Sequence, residues 1–195
     1  METITLKFIG NASLLMHSER SVDPLDAGTK ALKKLTAVKK KTDEMHEQIA
    51  RAEWELGMYF DPEMGPKMPT ANIIAAIAKG GVHNRLGKDL KRAILPAVEF
   101  VRLDYKGQRD LVGMWKSQNF RDRRSVGVGP KRVMRTRPKF APPWSFTCEL
   151  MFDTTVIDAE ALIDSARLAG RLVGIGDYRP DCGGPFGRFD VEVLP

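Results

Sequence analysis

The chain holds only two cysteines and three histidines in 195 residues, and each scarcity removes a class of protein. Cys148 and Cys182 form no CxxC pair, and His17, His46 and His83 are scattered, so the tight ligand spacing of a zinc site is missing. Two thiols are too few for a disulfide scaffold and read as a reduced, intracellular pair. No apolar run nears the roughly 20 residues that span a bilayer; the best is Ile73 to Ala78. There is no Walker motif, no HExxH and no GxSxG, so three common enzyme chemistries lack their usual residues. Glu2 stands where a signal peptide carries basic residues, and strand-like alternation begins at once. These absences predict a cytoplasmic, non-catalytic protein with no metal and no cofactor.

What is present suits a folded chain. Hydrophobic residues make up 43% and charged residues 29%, and the mean hydropathy is -0.28. That balance can bury a core, and the length suits a single domain over 1–195. The net charge is +6, and its distribution says more than its size. From Lys116 to Lys139 nine basic residues face one acid, Asp122, so this segment carries +8 and the rest of the chain -2. A local excess of that kind points to an anionic partner.

Alternation over residues 2–9 buries Ile4, Leu6 and Phe8 on one side of a strand. Helical spacing at Ala31, Leu35 and Val38, then at Met45, Ile49, Ala52 and Leu56, predicts a helical hairpin over about 25–58, with Thr42 or Asp43 capping its second helix. A short hairpin around Asp61–Gly65 leads into an apolar helix at 71–79 and a second at about 85–94. Residues 97–103 read as a strand and 104–130 as a basic loop. Strands at 131–138 and 145–152, an amphipathic helix at 158–171 and a strand at 189–194 complete the chain. With the helical insertions set aside, the order approximates βαββαβ. The expected fold is therefore α+β: a ferredoxin-like antiparallel sheet with helices on one face, its first and last strands central and its other face free to meet a ligand.

Between the last helix and the last strand lies a glycine-rich stretch, Gly174-Ile-Gly176 through Gly183-Gly184-Pro-Phe-Gly187-Arg188. A dinucleotide loop needs the reverse order, strand before helix, so that reading fails. Helix, glycine-rich loop and closing strand instead resemble the C-terminal part of the RAMP superfamily. These are RRM-like proteins that include the Cas7-type backbone subunits of CRISPR complexes. The hairpin ending Lys67-Met-Pro69 and entering Thr70-Ala-Asn-Ile-Ile-Ala-Ala-Ile77 is similar to that family's helix entry, with Thr70 where the family has Gly and Ala75-Ala76 where it has Lys-Gly. A small phage-encoded relative fits the resemblance as well as a CRISPR subunit does. The resemblance implies a homo-oligomer or ribonucleoprotein subunit lined up along single-stranded RNA or DNA.

The residues add weaker, independent support. Arg121, Arg123, Arg124, Lys131, Arg132, Arg135 and Arg137 are suited to phosphates, and Trp115 and Phe120 lie among them as candidate stacking surfaces. Lys39, Lys40 and Lys41 form a second basic group, beside Lys30, Lys33 and Lys34. His17 and Arg20 sit in the loop after the first strand. Gly174, Gly176, Gly183, Gly184, Gly187 and Arg188 would allow close approach of a ligand or a neighbouring subunit. Two other readings stay open: an interaction or decoy protein that imitates or blocks a CRISPR backbone subunit, and a metal-independent endoribonuclease using His17 as general base.

Overall fold

The computed structural model describes residues 1–195 apart from the side chain of Val128. The first half of the chain forms β1 (Glu2–Gly10), β2 (Leu14–Leu15), α1 (Ala27–Ala37), α2 (Asp43–Gly57), β3 (Phe60–Asp61), β4 (Gly65–Pro69), α3 (Thr70–Gly80) and α4 (Gly87–Ala93). The second half forms β5 (Ile94–Pro96), β6 (Phe100–Arg102), α5 (Leu111–Ser117), β7 (Arg121–Val128), β8 (Lys131–Phe140), β9 (Ser145–Phe152), α6 (Ala159–Leu168) and β10 (Phe189–Leu194). They fall into two compact units. One comprises Met1–Leu14, Phe60–Lys106 and Phe140–Pro195; the other comprises Leu15–Tyr59 and Gly107–Lys139.

The first unit is built on a four-stranded sheet of order β10-β1-β9-β5. Every neighbouring pair is antiparallel. Counting only these strands and the helices of the same unit, with α3 and α4 as one helical segment, gives βαββαβ with spatial order fourth, first, third, second, the ferredoxin-like arrangement. The alternation read from the sequence sets which side is buried. Ile4, Leu6 and Phe8 on β1 and Phe146, Cys148, Leu150 and Phe152 on β9 face inward, because cross-strand partners such as Leu6 with Cys148 and Phe8 with Phe146 share one face. Burial pushes the Cys148 thiol up to about 12, with the Glu149 charge adding to the effect, so Cys148 behaves as a small core hydrophobe. Cys182 is exposed, and neither cysteine is in a disulfide.

Four expectations change. The last strand is an edge strand, not a central one. The second strand of the core is the short β5, which starts on the last residue of the expected helix and ends before the expected strand at 97–103, while Phe100–Arg102 pairs with β4 in a separate sheet. Pro96 accounts for part of this, since the residue before a proline is driven out of helical backbone. The strand at 131–138 is β8; it pairs with β7 and belongs to a different sheet, of order β2-β8-β7. Residues 104–130, read as a loop, contain α5 and β7. There Asp110 caps α5 through Gly113 N at 2.7 Å, and cations rather than apolar residues mark the alternation of β7.

Trp144 pins the start of β9 to the end of β1. Its Nε1 donates to Ala12 O at 2.7 Å, and its carbonyl accepts from Gly10 N at 2.7 Å. A Cβ at Gly10 would lie 2.0 Å from Trp144 Cε2, so only glycine leaves room for the indole, which continues a stack through Phe146 to Phe8. Gly10→Ala should therefore cost about 1–3 kcal/mol by overpacking, read as a lower urea midpoint with an unchanged slope.

Candidate nucleic-acid interface

Charge separates the two units. The second unit holds 18 Lys and Arg against 10 Asp and Glu, a net +8, leaving -2 for the first. The outer face of the core sheet follows the same division. Lys7 is its one cation among Glu149, Asp190 and Glu192, which fall on the face opposite Leu6, Cys148 and Val191. That face is net acidic, which does not favour the expectation that the free side of the sheet receives a polyanion.

The basic segment forms a β-ribbon in the second unit. Val128 pairs with Lys131, so Gly129-Pro130 is a two-residue turn. Gly129 takes φ 57, as glycine does at the first position of a type II′ turn. Helix α2, capped by Thr42 through Met45 N at 3.4 Å, anchors the ribbon with two adjacent side chains. Trp54 is fully buried and donates from Nε1 to Phe120 O at 2.7 Å. Glu53 accepts from Arg135 Nη1 at 2.6 Å and from Thr136 N at 3.0 Å.

Alternation then divides the seven cations. Cross-strand pairing places Arg121, Arg123 and Arg132 on one face with Met134 and Thr136, and Arg124, Lys131, Arg135 and Arg137 on the other. Arg124 binds the Asp122 carboxylate through two nitrogens. Arg135 is tied to Glu53, and Arg137 is half-buried. The Arg121 guanidinium lies 4.1 Å from the centre of the Trp115 ring. Arg123, Lys131 and Arg132 are exposed, and among the described residues no carboxylate pairs with them.

The remaining candidates fall in several places. Trp115 and Phe120 are 8% and 6% exposed; Trp115 packs on Trp54 with ring centres 5.5 Å apart. Both belong to the unit's core, so the stacking role is corrected: a base cannot reach a ring face already covered by protein. Lys39 and Lys40 are exposed, and Lys41 donates to Val38 O at 2.6 Å. Arg20 pairs with Asp26 at 3.0 Å. Asp26 caps α1, and its carboxyl is held below the usual range by the Thr29 amide first and Arg20 next. His17 Nε2 lies 3.2 Å from Ser21 Oγ.

In the first unit, Gly174, Gly176, Gly183 and Gly187 all take positive φ. A Cβ on Gly184 or Gly187 would strike the carbonyl of Tyr178 or Ile175 at 1.8 Å. The loop's glycines therefore serve its own closure, held by Ile175 N to Gly187 O at 2.9 Å, and Arg188 donates to Arg171 O.

Two clefts flank the ribbon, and both include Arg123. One, about 740 Å³, runs between Asp43, His46 and Glu47 on α2 and Arg121 and Arg123. The other, about 650 Å³, brings Lys33 and Lys41 to Arg123 and Arg135. Sequence reading grouped the lysines and arginines separately and missed Glu53 and Trp54, which give no local signal because Trp54 lies 66 residues before its partner Phe120.

Fold and site together define an α+β protein with a ferredoxin-like core and a separate basic β-ribbon. No family model and no curated protein matches the chain. Among solved structures it is similar to a chain of the type III-B Cmr-beta complex bound to cognate target RNA, determined by cryo-EM. The TM-score is 0.46 at 14% identity, over 99% of this chain and 61% of that one, so this chain spans about three fifths of that chain's length.

Trp54→Phe removes the indole donor from the Phe120 carbonyl, which keeps the Lys139 amide at 2.9 Å. The expected loss is about 0.5–1.5 kcal/mol, measured by chemical denaturation. The near-ultraviolet circular dichroism of Trp115 should change with it.

Proposed function

We propose that the second unit binds single-stranded nucleic acid through its phosphates, without reading sequence and without cleaving the strand. The observation that carries this reading is the confinement of the chain's positive charge to one unit, where Arg123, Lys131 and Arg132 project from a ribbon with no acidic partner among the described residues. The exposed Lys30, Lys33, Lys34, Lys39 and Lys40 extend the same field along α1 and the segment after it. Cations on both faces of a narrow ribbon suit a flexible strand, which can follow them; a stiff duplex meets one face at a time.

A Cas7-like protein, one copy per short stretch of strand, is the fuller form of the proposal. The ferredoxin-like strand order and the position of Gly174–Arg188 between α6 and β10 support it. Length-dependent assembly on oligonucleotides in size-exclusion chromatography distinguishes that form from a monomeric binder.

Fluorescence anisotropy on single- and double-stranded RNA and DNA across salt tests the reading. Each phosphate contact on a single strand contributes about -0.7 to the slope of log Kobs against log salt. Arg123→Glu with Lys131→Glu and Arg132→Glu should flatten that slope by about 2 and leave the urea midpoint unchanged. A wild-type slope near zero rejects phosphate binding.

The non-catalytic part of the proposal rests on His17. The hydroxyl beside its ring, Ser21 Oγ, already donates to Ser18 O at 2.9 Å, and general acid–base cleavage needs a second positioned group. End-labelled RNA should remain intact with wild type and with His17→Ala alike. Cleavage that disappears in His17→Ala reverses this point.

A further inference from the structure

We infer that the cleft between the α1–α2 hairpin and the ribbon receives an unstacked base of the bound strand. The inference rests on the nucleic-acid reading above and deepens it: it makes base contact part of a site that charge alone would leave to phosphates. Its floor is apolar. Leu32 and Ile49 are half-exposed, and Met134 is 50% exposed in the middle of a cationic ribbon. A ribbon face that met only water and phosphate would have no use for a long thioether there, since exposed apolar area is unfavourable and strand faces of this kind carry polar residues.

The rim is cationic. Lys33 and Lys41 stand on the hairpin side and Arg123 on the ribbon side. The cleft's one carboxylate, Glu53, is occupied by Arg135 and Thr136, so the field at its mouth is positive. Arg123 shares a ribbon face with Met134, so a phosphate held by Arg123 brings its attached base to the apolar floor. At about 650 Å³ the cleft lies within the roughly 300–1,000 Å³ typical of small-molecule sites, room enough for a nucleoside. An apolar floor under a cationic rim matches a group that is flat and apolar on its faces and anionic at its attachment, which describes a nucleotide.

No Phe, Tyr or Trp lines the cleft, and its one aromatic ring is the His46 imidazole. The base is therefore held by dispersion, by the polarisable Met134 sulfur and by the small His46 ring rather than between large aromatic side chains. Such contact tolerates any base and discriminates by size, so purine strands should bind more tightly than pyrimidine strands.

The test compares a single strand with a fully abasic strand of the same length and sugar, both by anisotropy. The abasic strand keeps every phosphate. Wild type should bind it about tenfold more weakly, a loss at the low end of what a buried base contributes. In Met134→Ser that difference should shrink to about twofold or less, whereas Arg132→Glu should weaken both strands and preserve their ratio. Met134 is half in solvent, so an unchanged urea midpoint serves as the folding control. Equal affinity of wild type for the two strands overturns the base site while leaving phosphate binding standing, and assigns the apolar floor to a side chain of some protein partner. Failure of both strands to bind overturns the nucleic-acid reading itself, and the base site with it.

Discussion

The basic unit of this protein depends on two adjacent residues of one helix. Trp54 fixes α2 to the chain just before β7 through the Phe120 carbonyl, and Glu53 fixes it to β8 through Arg135 and the Thr136 amide. A two-stranded ribbon is marginal by itself, and this one sets Arg124 directly opposite Arg135, a like-charge pair that works against strand pairing. Glu53 takes one of those arginines and Asp122 takes the other. Two carboxylates, one from the helix and one from the ribbon, thus let a strongly basic hairpin exist as a folded element.

That arrangement sorts cations by purpose. Those facing each other in the middle of the ribbon are neutralised and hold it together, while Arg123, Lys131 and Arg132 are exposed with no carboxylate partner among the described residues. The density of basic residues in a sequence therefore overstates the number available for binding. The seven arginines and lysines that share the ribbon do at least two different jobs.

The core was the legible part of the chain. Period-two burial in residues 2–9 and 189–194, the period of α6 and the capped hairpin of α1 and α2 all follow from apolar spacing, and the α+β class with them, but the edge position of β10 and the use of β5 as second core strand do not. The errors gathered where apolar spacing is silent. β5 has three residues, too few to show a period, and ends on a proline. On β7 Arg121 and Arg123 lie on one face and Asp122 and Arg124 on the other, so charge on both faces hides that Asp122 is buried. Trp115 and Phe120 looked available for bases because sequence shows neighbours along the chain; their neighbours in space, Trp54 among them, cover them. The division of charge between two faces became visible only with the cross-strand register.

The neutralised Arg124–Arg135 pair also bears on kinetics. Because the ribbon carries its own counter-charges, it does not rely on a polyanion to pull it into shape. On the proposed reading, a strand arriving at it would find its contact surface already in place. Association can then run at the speed of electrostatically guided encounter, with no ordering step to wait for.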